Sequence, residues 1–204
     1  GDKGIFNYEA MKELSMSKES DFVELDRDII DLKTSALFRT ASQNAQDLTG
    51  YKSKEVDNYV EKAAEAFQIR DDMIDFLETE EETGKDQYLD FKESAINRPI
   101  YFAIRYYKTH PDQDRPREGI PLTNDEKAEY LLDALAEDDE ILSDNHYELA
   151  SELVEESPAI EASENITEYL VEEAIQEIRK SDLDDKYVQE LADLAKYGGV
   201  TRRN

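Results

Sequence analysis

Apolar residues recur three and four positions apart along most of the chain, and no stretch alternates apolar and polar residues over the length of a strand. From Glu19 to about Leu48, the spacing of Phe22, Leu25, Ile29, Leu32, Ala36, Leu37 and Ala41 predicts an amphipathic helix. It allows for a break near Asp31 and ends at Thr49-Gly50. Residues 54 to about 82 form the longest predicted helix, with Val56, Val60, Ala63, Phe67, Ile69, Met73, Ile74 and Leu77 as its buried stripe. Ile96 to Tyr107 is a third, with Pro99 suited to a first turn and Tyr101, Phe102, Tyr106 and Tyr107 as packing residues. His110 to Pro121 holds three prolines and Gly119, so it is expected to be an exposed connection. Thr123-Asn124-Asp125-Glu126 then opens a helix to about Ala136. Ser143 or Asp144 begins another that runs to Glu156, and Ser163 or Asn165 one that runs to Lys180. Asp182 to Tyr197 is the last, with Leu183, Tyr187, Val188, Leu191 and Leu194 inward and Gly198-Gly199 as its stop. Residues 1 to 18 carry only a weak helical pattern. The expectation is one all-α domain over residues 1–204, with about eight helices.

Charge narrows the partners. The chain has 51 acidic and 24 basic residues, a formal net charge of −27. Nucleic acid and anionic lipid both call for clustered Lys and Arg, so neither is an expected partner. No apolar run is long enough to span a membrane, and no cysteine is present to form a disulfide. A cytoplasmic protein is the expectation, and so acidic a surface suits a high-salt cytoplasm, where screening removes much of the self-repulsion.

The candidate chemistry lies in the longest helix. Asp71 and Asp75, four apart, project from one helical face, and Asp72 flanks them. Such a cluster of carboxylate oxygens suits Mg²⁺, a hard cation that keeps much of its water and commonly links one or two carboxylates to substrate phosphates. Spacing alone is weak support in so acidic a chain, where Glu80-Glu81-Glu82 and Glu137-Asp138-Asp139-Glu140 are equally dense. His110 and His146 make no metal pattern, and there is no cysteine nucleophile, glycine-rich phosphate loop or Ser-His-Asp set.

The residues around the aspartates are more specific. Phe67-Gln68-Ile69-Arg70-Asp71-Asp72-Met73-Ile74-Asp75 resembles the second aspartate-rich motif of the trans-prenyltransferases, the polyprenyl diphosphate synthases. Lys33-Thr34-Ser35-Ala36-Leu37-Phe38 is similar to that family's Lys-Thr-x-x-Leu-Phe element, and Gly84-Lys85-Asp86-Gln87-Tyr88-Leu89-Asp90 to its Gly-Lys-x-x-Gly-x-Asp loop. The last match is partial: Tyr88 replaces a glycine where positive φ is needed, and Ser94-Ala95 stands in place of Gly-Lys. Asn97 replaces a common Thr, while Pro99 is retained. Gln43, Asn44, Gln46 and Glu65 occupy positions that are small or apolar in the family.

The resemblance implies an isoprenoid-synthase-type helical bundle and a Mg²⁺-dependent condensation of isopentenyl diphosphate with an allylic diphosphate. Asp71, Asp72 and Asp75 would hold the metal, and Gln68 would orient a carboxylate or touch substrate. Lys33, Thr34 and Lys85 would donate to the diphosphate, where pre-placed charge is most effective. The family's first aspartate-rich motif has no counterpart before Lys33, since Asp26, Asp28 and Asp31 stand too close to it. The chain is therefore expected to be the C-terminal half of such a bundle without its N-terminal helices, either a piece of a longer protein or a naturally short relative. It would be inactive alone and would form a homo- or hetero-oligomer, because half a bundle uncovers apolar surface. A non-catalytic small subunit paired with a complete synthase is the alternative reading, and an unrelated acidic bundle a third.

Overall fold

The computed structural model describes residues 12–14, 17–77, 88–111, 122–136 and 144–201. Among these residues every regular element is helical, as expected from the periodicity. They divide into two compact units. The first holds residues up to Phe22 together with Asp72–Ala162, and the second holds Val23–Asp71 and the residues from Ser163 onward.

The helices are α1 (Glu19–Ile30), α2 (Ala36–Thr49), α3 (Lys54–Leu77), α4 (Leu89–Lys92), α5 (Arg98–Thr109), α6 (Asn124–Ala136), α7 (Asp144–Glu156), α8 (Ala159–Ile178) and α9 (Asp185–Lys196). Two π-helical turns accompany them, Asp31–Ser35 between α1 and α2 and Tyr197–Thr201 after α9. The break expected near Asp31 is the first of these. An i→i+5 turn takes up an extra residue without ending the helix, and such turns gather at functional sites.

Local chemistry explains the ends. Gly50 adopts φ 71°, the left-handed conformation that closes α2. Asn97 caps α5 by accepting a hydrogen bond from the Ile100 amide at 3.0 Å, and Pro99 lies in the first turn. A capping box opens α6: Thr123 Oγ1 accepts from the Glu126 amide at 3.3 Å, and the Glu126 carboxylate accepts from the Thr123 amide at 2.8 Å. Asp184 caps α9 through the Lys186 amide at 3.0 Å. Tyr88 sits at φ 60°, so the side chain found where the resemblance expects glycine is held in a conformation that costs a non-glycine residue about 1–2 kcal/mol.

In the first unit, α5 packs on α6 and both pack on α7. Its core is large and aromatic: Phe76, Phe91, Ile104, Tyr107, Leu131 and Tyr147 are all buried. Tyr107 donates to the Leu153 carbonyl at 2.7 Å, and the buried Lys127 pairs with Glu156 at 3.2 Å while lying 5.2 Å from the Tyr107 ring centroid. Phe22 stacks on Tyr101.

The second unit is built from smaller side chains. Ala63, Ala64 and Ala66 of α3, Ala174 of α8, and Ala192 and Ala195 of α9 are buried. The helix stop expected at Gly198-Gly199 is instead a π-turn whose two glycines are buried. A β-carbon on Gly199 would lie 2.5 Å from Val171 Cγ2 and 3.3 Å from Ala66 Cβ. One on Gly198 would lie 3.2 Å from Phe67 Cδ2.

Two inward faces are corrected. Leu32 is 81% and Leu37 72% exposed, and Ala41 is exposed too, so the apolar stripe predicted for Glu19–Leu48 is only partly covered. In α9, Tyr187 and Leu194 are exposed, and the buried face runs through Ala192 and Ala195 instead. In α9 the buried positions are held by small residues, and periodicity counts large apolar ones; in the first segment Phe22 and Ile30 are buried as expected, with polar Thr34, Ser35 and Gln46 beyond them. The proposed 110–121 connection lies outside the described residues from 112 onward.

Candidate functional site

The site grows from α3. Its apolar stripe is largely as expected, with Val60, Ala63, Ile69, Met73 and Ile74 buried, and this fixes the rotation of the helix; Leu77, expected in the same stripe, is 45% exposed at the helix end. Gln68 is then also buried, at 6% exposed, while Asp71, Asp72 and Asp75 are half-buried. Gln68, Asp71, Asp72 and Asp75 follow at three- and four-residue intervals along this one helix, which aligns them on one face over two turns.

Within the second unit, the π-turn brings its own polar residue to that face. Thr34 is buried, and its hydroxyl donates a hydrogen bond to Gln68 Oε1. Two residues that are 34 apart in sequence, each singled out by its motif, thus meet in one contact. Lys33 precedes Thr34 in the same turn and has an exposed side chain. Four residues beyond Thr34, Phe38 packs against Phe67 with ring centroids 5.5 Å apart. The Gly198-Gly199 turn lies against Ala66 and Phe67, so the residues just before Gln68 are held from two directions. Sequence reasoning missed this support; the signal was the coincidence of a glycine pair with the small residues Ala63, Ala64 and Ala66. Lys85 and its glycine lie outside the described residues.

The π-turn is itself anchored. Arg39 pairs with the Asp31 carboxylate, with Nη2 to Oδ2 at 2.9 Å, and this hydrogen bond holds the Asp31 pKa below its ordinary value. On the other side of α3, Arg70 lies 3.8 Å from Glu164 of α8.

The donor set fits Mg²⁺ in kind. Asp71, Asp72 and Asp75 offer hard carboxylate oxygens partly open to solvent, with no histidine or sulfur among them. Among the described residues, no three His, Cys, Asp or Glu side chains converge into a closed metal-holding group. An arrangement of this kind suits a cation that takes one or two carboxylates and completes its shell with water and phosphate oxygen.

Comparison with known proteins agrees with the motifs. The family model described as polyprenyl synthetase matches residues 8–137. A prenyl transferase of Cyanophora paradoxa is 30% identical over 158 residues, covering 69% of this chain and 46% of that protein. Among solved structures, the chain is similar to a geranylgeranyl pyrophosphate synthase from Corynebacterium glutamicum, complexed with isoprenyl diphosphate and magnesium. The TM-score is 0.71 at 20% identity, over 88% of this chain and 47% of that one. It is also similar to a polyprenyl synthase from Caulobacter crescentus CB15, complexed with calcium and isoprenyl diphosphate, with a TM-score of 0.73 at 23% identity over 93% and 52%. These likenesses establish the all-α fold. The chain spans about half the length of the relatives it matches.

Proposed function

The chain belongs to the polyprenyl synthetase family, and on that premise we propose that its Thr34–Gln68 contact and the aspartates that follow on α3 are the diphosphate-holding side of a prenyl diphosphate synthase. The reaction is condensation of isopentenyl diphosphate with an allylic diphosphate. The observation that carries this reading is the hydrogen bond between Thr34 and Gln68, which joins two motif elements distant in sequence. The solved relatives that contain isoprenyl diphosphate and a divalent cation support the same ligand class.

In this reading each residue has a task set by its chemistry. Asp71, Asp72 and Asp75 would hold Mg²⁺, which would supply positive charge to offset that of a leaving diphosphate. Gln68 is fixed by Thr34, and its side chain orients a carboxylate or meets substrate. Lys33 adds an ammonium and Lys85 a second one, each a point charge suited to phosphate oxygen. The burial of Thr34 and Gln68 keeps water away from that contact and makes the arrangement stiff before ligand arrives.

A second reading, a non-catalytic subunit that pairs with a complete synthase, is favoured by one observation: Leu32, Leu37 and Leu48 are 81%, 72% and 89% exposed on one helical segment. Ligand coupling is measurable in either case. Titration calorimetry with Mg²⁺ and inorganic pyrophosphate, at fixed salt, is expected to show each ligand tightening the other by about 5-fold or more. Asp71→Ala abolishes the coupling, whereas Glu168→Gln, on an exposed position of α8, leaves it intact. Equal losses from the two substitutions, or no coupling in the parent chain, would reduce the aspartates to a charged face. Turnover of isopentenyl and allylic diphosphates by the chain alone would dismiss the subunit reading.

A further inference from the structure

Helix α2 is held in place by a polar residue. Of its fourteen residues only Gln46 is buried, at 5% exposed, while Leu37, Ala41 and Leu48 face outward. No apolar side chain of α2 is fully covered, so burial of apolar area does not by itself fix where this helix lies against α3. Side-chain pairs do that instead. Thr34 meets Gln68, Phe38 meets Phe67 and Gln46 meets Asp57, so the contacts step up one helix as they step down the other, and α2 runs antiparallel to α3. The Gln46 pair lies beside the connecting turn, about 18 Å along the hairpin from the Thr34 pair at a rise of about 1.5 Å per residue.

Both ends of the Gln46 amide are used. Its Oε1 accepts from the Ser53 amide at 2.9 Å, and its Nε2 donates to Asp57 Oδ1 at 2.8 Å and to Ser42 Oγ at 3.3 Å. A backbone N–H on one side and a carboxylate on the other leave the amide one orientation. Ser53 is itself buried and opens α3: its hydroxyl accepts from the Val56 amide at 3.3 Å and donates to Glu55 at 2.8 Å, and its carbonyl accepts from the Asp57 amide at 3.2 Å. One side chain of α2 thus grips the start of α3 at two points, while Gly50 between them makes the left-handed turn.

A slip or rotation of α2 would strip these bonds from the buried Gln46 and Ser53, and an unmade buried bond costs more than a made one contributes. The small or apolar residue that the family resemblance expects at this position carries no such penalty and tolerates neighbouring registers. We propose that Gln46 is a positioning residue, which locks the register of α2 on α3 and so sets Thr34 opposite Gln68 before ligand arrives. Its consequence for binding rests on the diphosphate reading; its consequence for geometry does not.

The chain has no cysteine, so spin labels can be attached at Thr40→Cys on α2 and Glu172→Cys on α8, both exposed, and the distance between them measured without ligand. Gln46→Glu sets a carboxylate against Asp57 and should shift or broaden that distance distribution. Adding Asp57→Asn reverses donor and acceptor across the same contact, and the double variant should regain the parental distribution. In calorimetry, the coupling between Mg²⁺ and pyrophosphate should fall about threefold in Gln46→Glu, return in the double variant, and fall no further when Gln46→Glu is added to Thr34→Val, because the effect runs through Thr34. Thr49→Ala, whose hydroxyl bonds only to its own helix and the Tyr51 amide, should change neither readout. An unchanged distance distribution in Gln46→Glu, no rescue by Asp57→Asn, or an additive loss on top of Thr34→Val would overturn the proposal. Absence of coupling in the parent chain would instead sink the diphosphate reading, and the spin-label distances alone would then support or overturn the role of Gln46.

Discussion

The two units of this molecule solve the same packing problem with different side chains. Among the described residues that are both large and under 2% exposed, the first unit holds Tyr101, Tyr107, Tyr147, Phe91, Arg98 and others, while the second holds no ring, only Ile69 and Ile178. The second unit relies on close backbone approach: alanines on α3, α8 and α9 and the buried glycine pair after α9. It also carries the polar contact between Thr34 and Gln68. A core of large rings gains stability from area, whereas a core of small residues gains precision of position. The motif residues that meet directly lie on the latter.

Substitutions that exchange the two strategies should break this contrast, and the largest effect belongs to the first unit. Tyr107→Ala removes a buried ring and the hydrogen bond to the Leu153 carbonyl, so chemical denaturation should show a loss of about 3–5 kcal/mol. In the second unit, size is the injury. Gly199→Val places atoms inside the space of Val171, and overpacking of this kind costs about 1–3 kcal/mol. Because the same turn supports Ala66 and Phe67, the coupling between Mg²⁺ and pyrophosphate should fall more than the modest stability loss accounts for.

The smallest effect sharpens the contrast through pH. Tyr59 of α3 is buried and donates to the Leu191 carbonyl at 2.7 Å, and burial pushes its hydroxyl up to about 12 from an ordinary value of 10.0. Below pH 10 the ring is neutral folded and unfolded alike, and its contribution is complete. Between pH 10 and 12 the unfolded chain ionises first, so stability should fall there by about 2 kcal/mol. Tyr59→Phe should be less stable at neutral pH yet show a shallower decline over that window.

Much of this was legible in the sequence because helices announce themselves by large apolar residues at fixed intervals. Met73 and Ile74 placed α3, and its rotation then placed Gln68 and the aspartates together. The cap at Thr123 was legible for the same local reason, being a short-range bond between neighbours, whereas Asn97 was noted only as a replaced threonine and turned out to cap α5. What the pattern misjudged were faces where small residues make the approach. Leu194 and Tyr187 drew attention in α9, while Ala192 and Ala195 make the contact. The Thr34–Gln68 bond was suggested only by motif order, since no local rule pairs residues 34 apart. Tyr88 was legible in a different sense. The missing glycine pointed to a backbone that needs positive φ, and the tyrosine adopts it at 60°.

The π-turn at Asp31–Ser35 has a genetic consequence. It holds one residue more than an α-helical turn would, which makes it the mark of a single-codon insertion that the helix absorbed rather than rejected. Deleting one of its residues would let α1 and α2 join as an unbroken α-helix with the faces on either side kept nearly in phase, because the wide turn already absorbs that residue. The loss would be local: Lys33 and Thr34 lie inside the turn, so their placement, and with it the contact to Gln68, would change while composition, length and helicity hardly did. In an alignment of related chains, a one-residue gap between positions 30 and 36 would therefore separate lineages that retain this contact from lineages that have lost it. That gap is a more informative character than any substitution at the aspartates themselves.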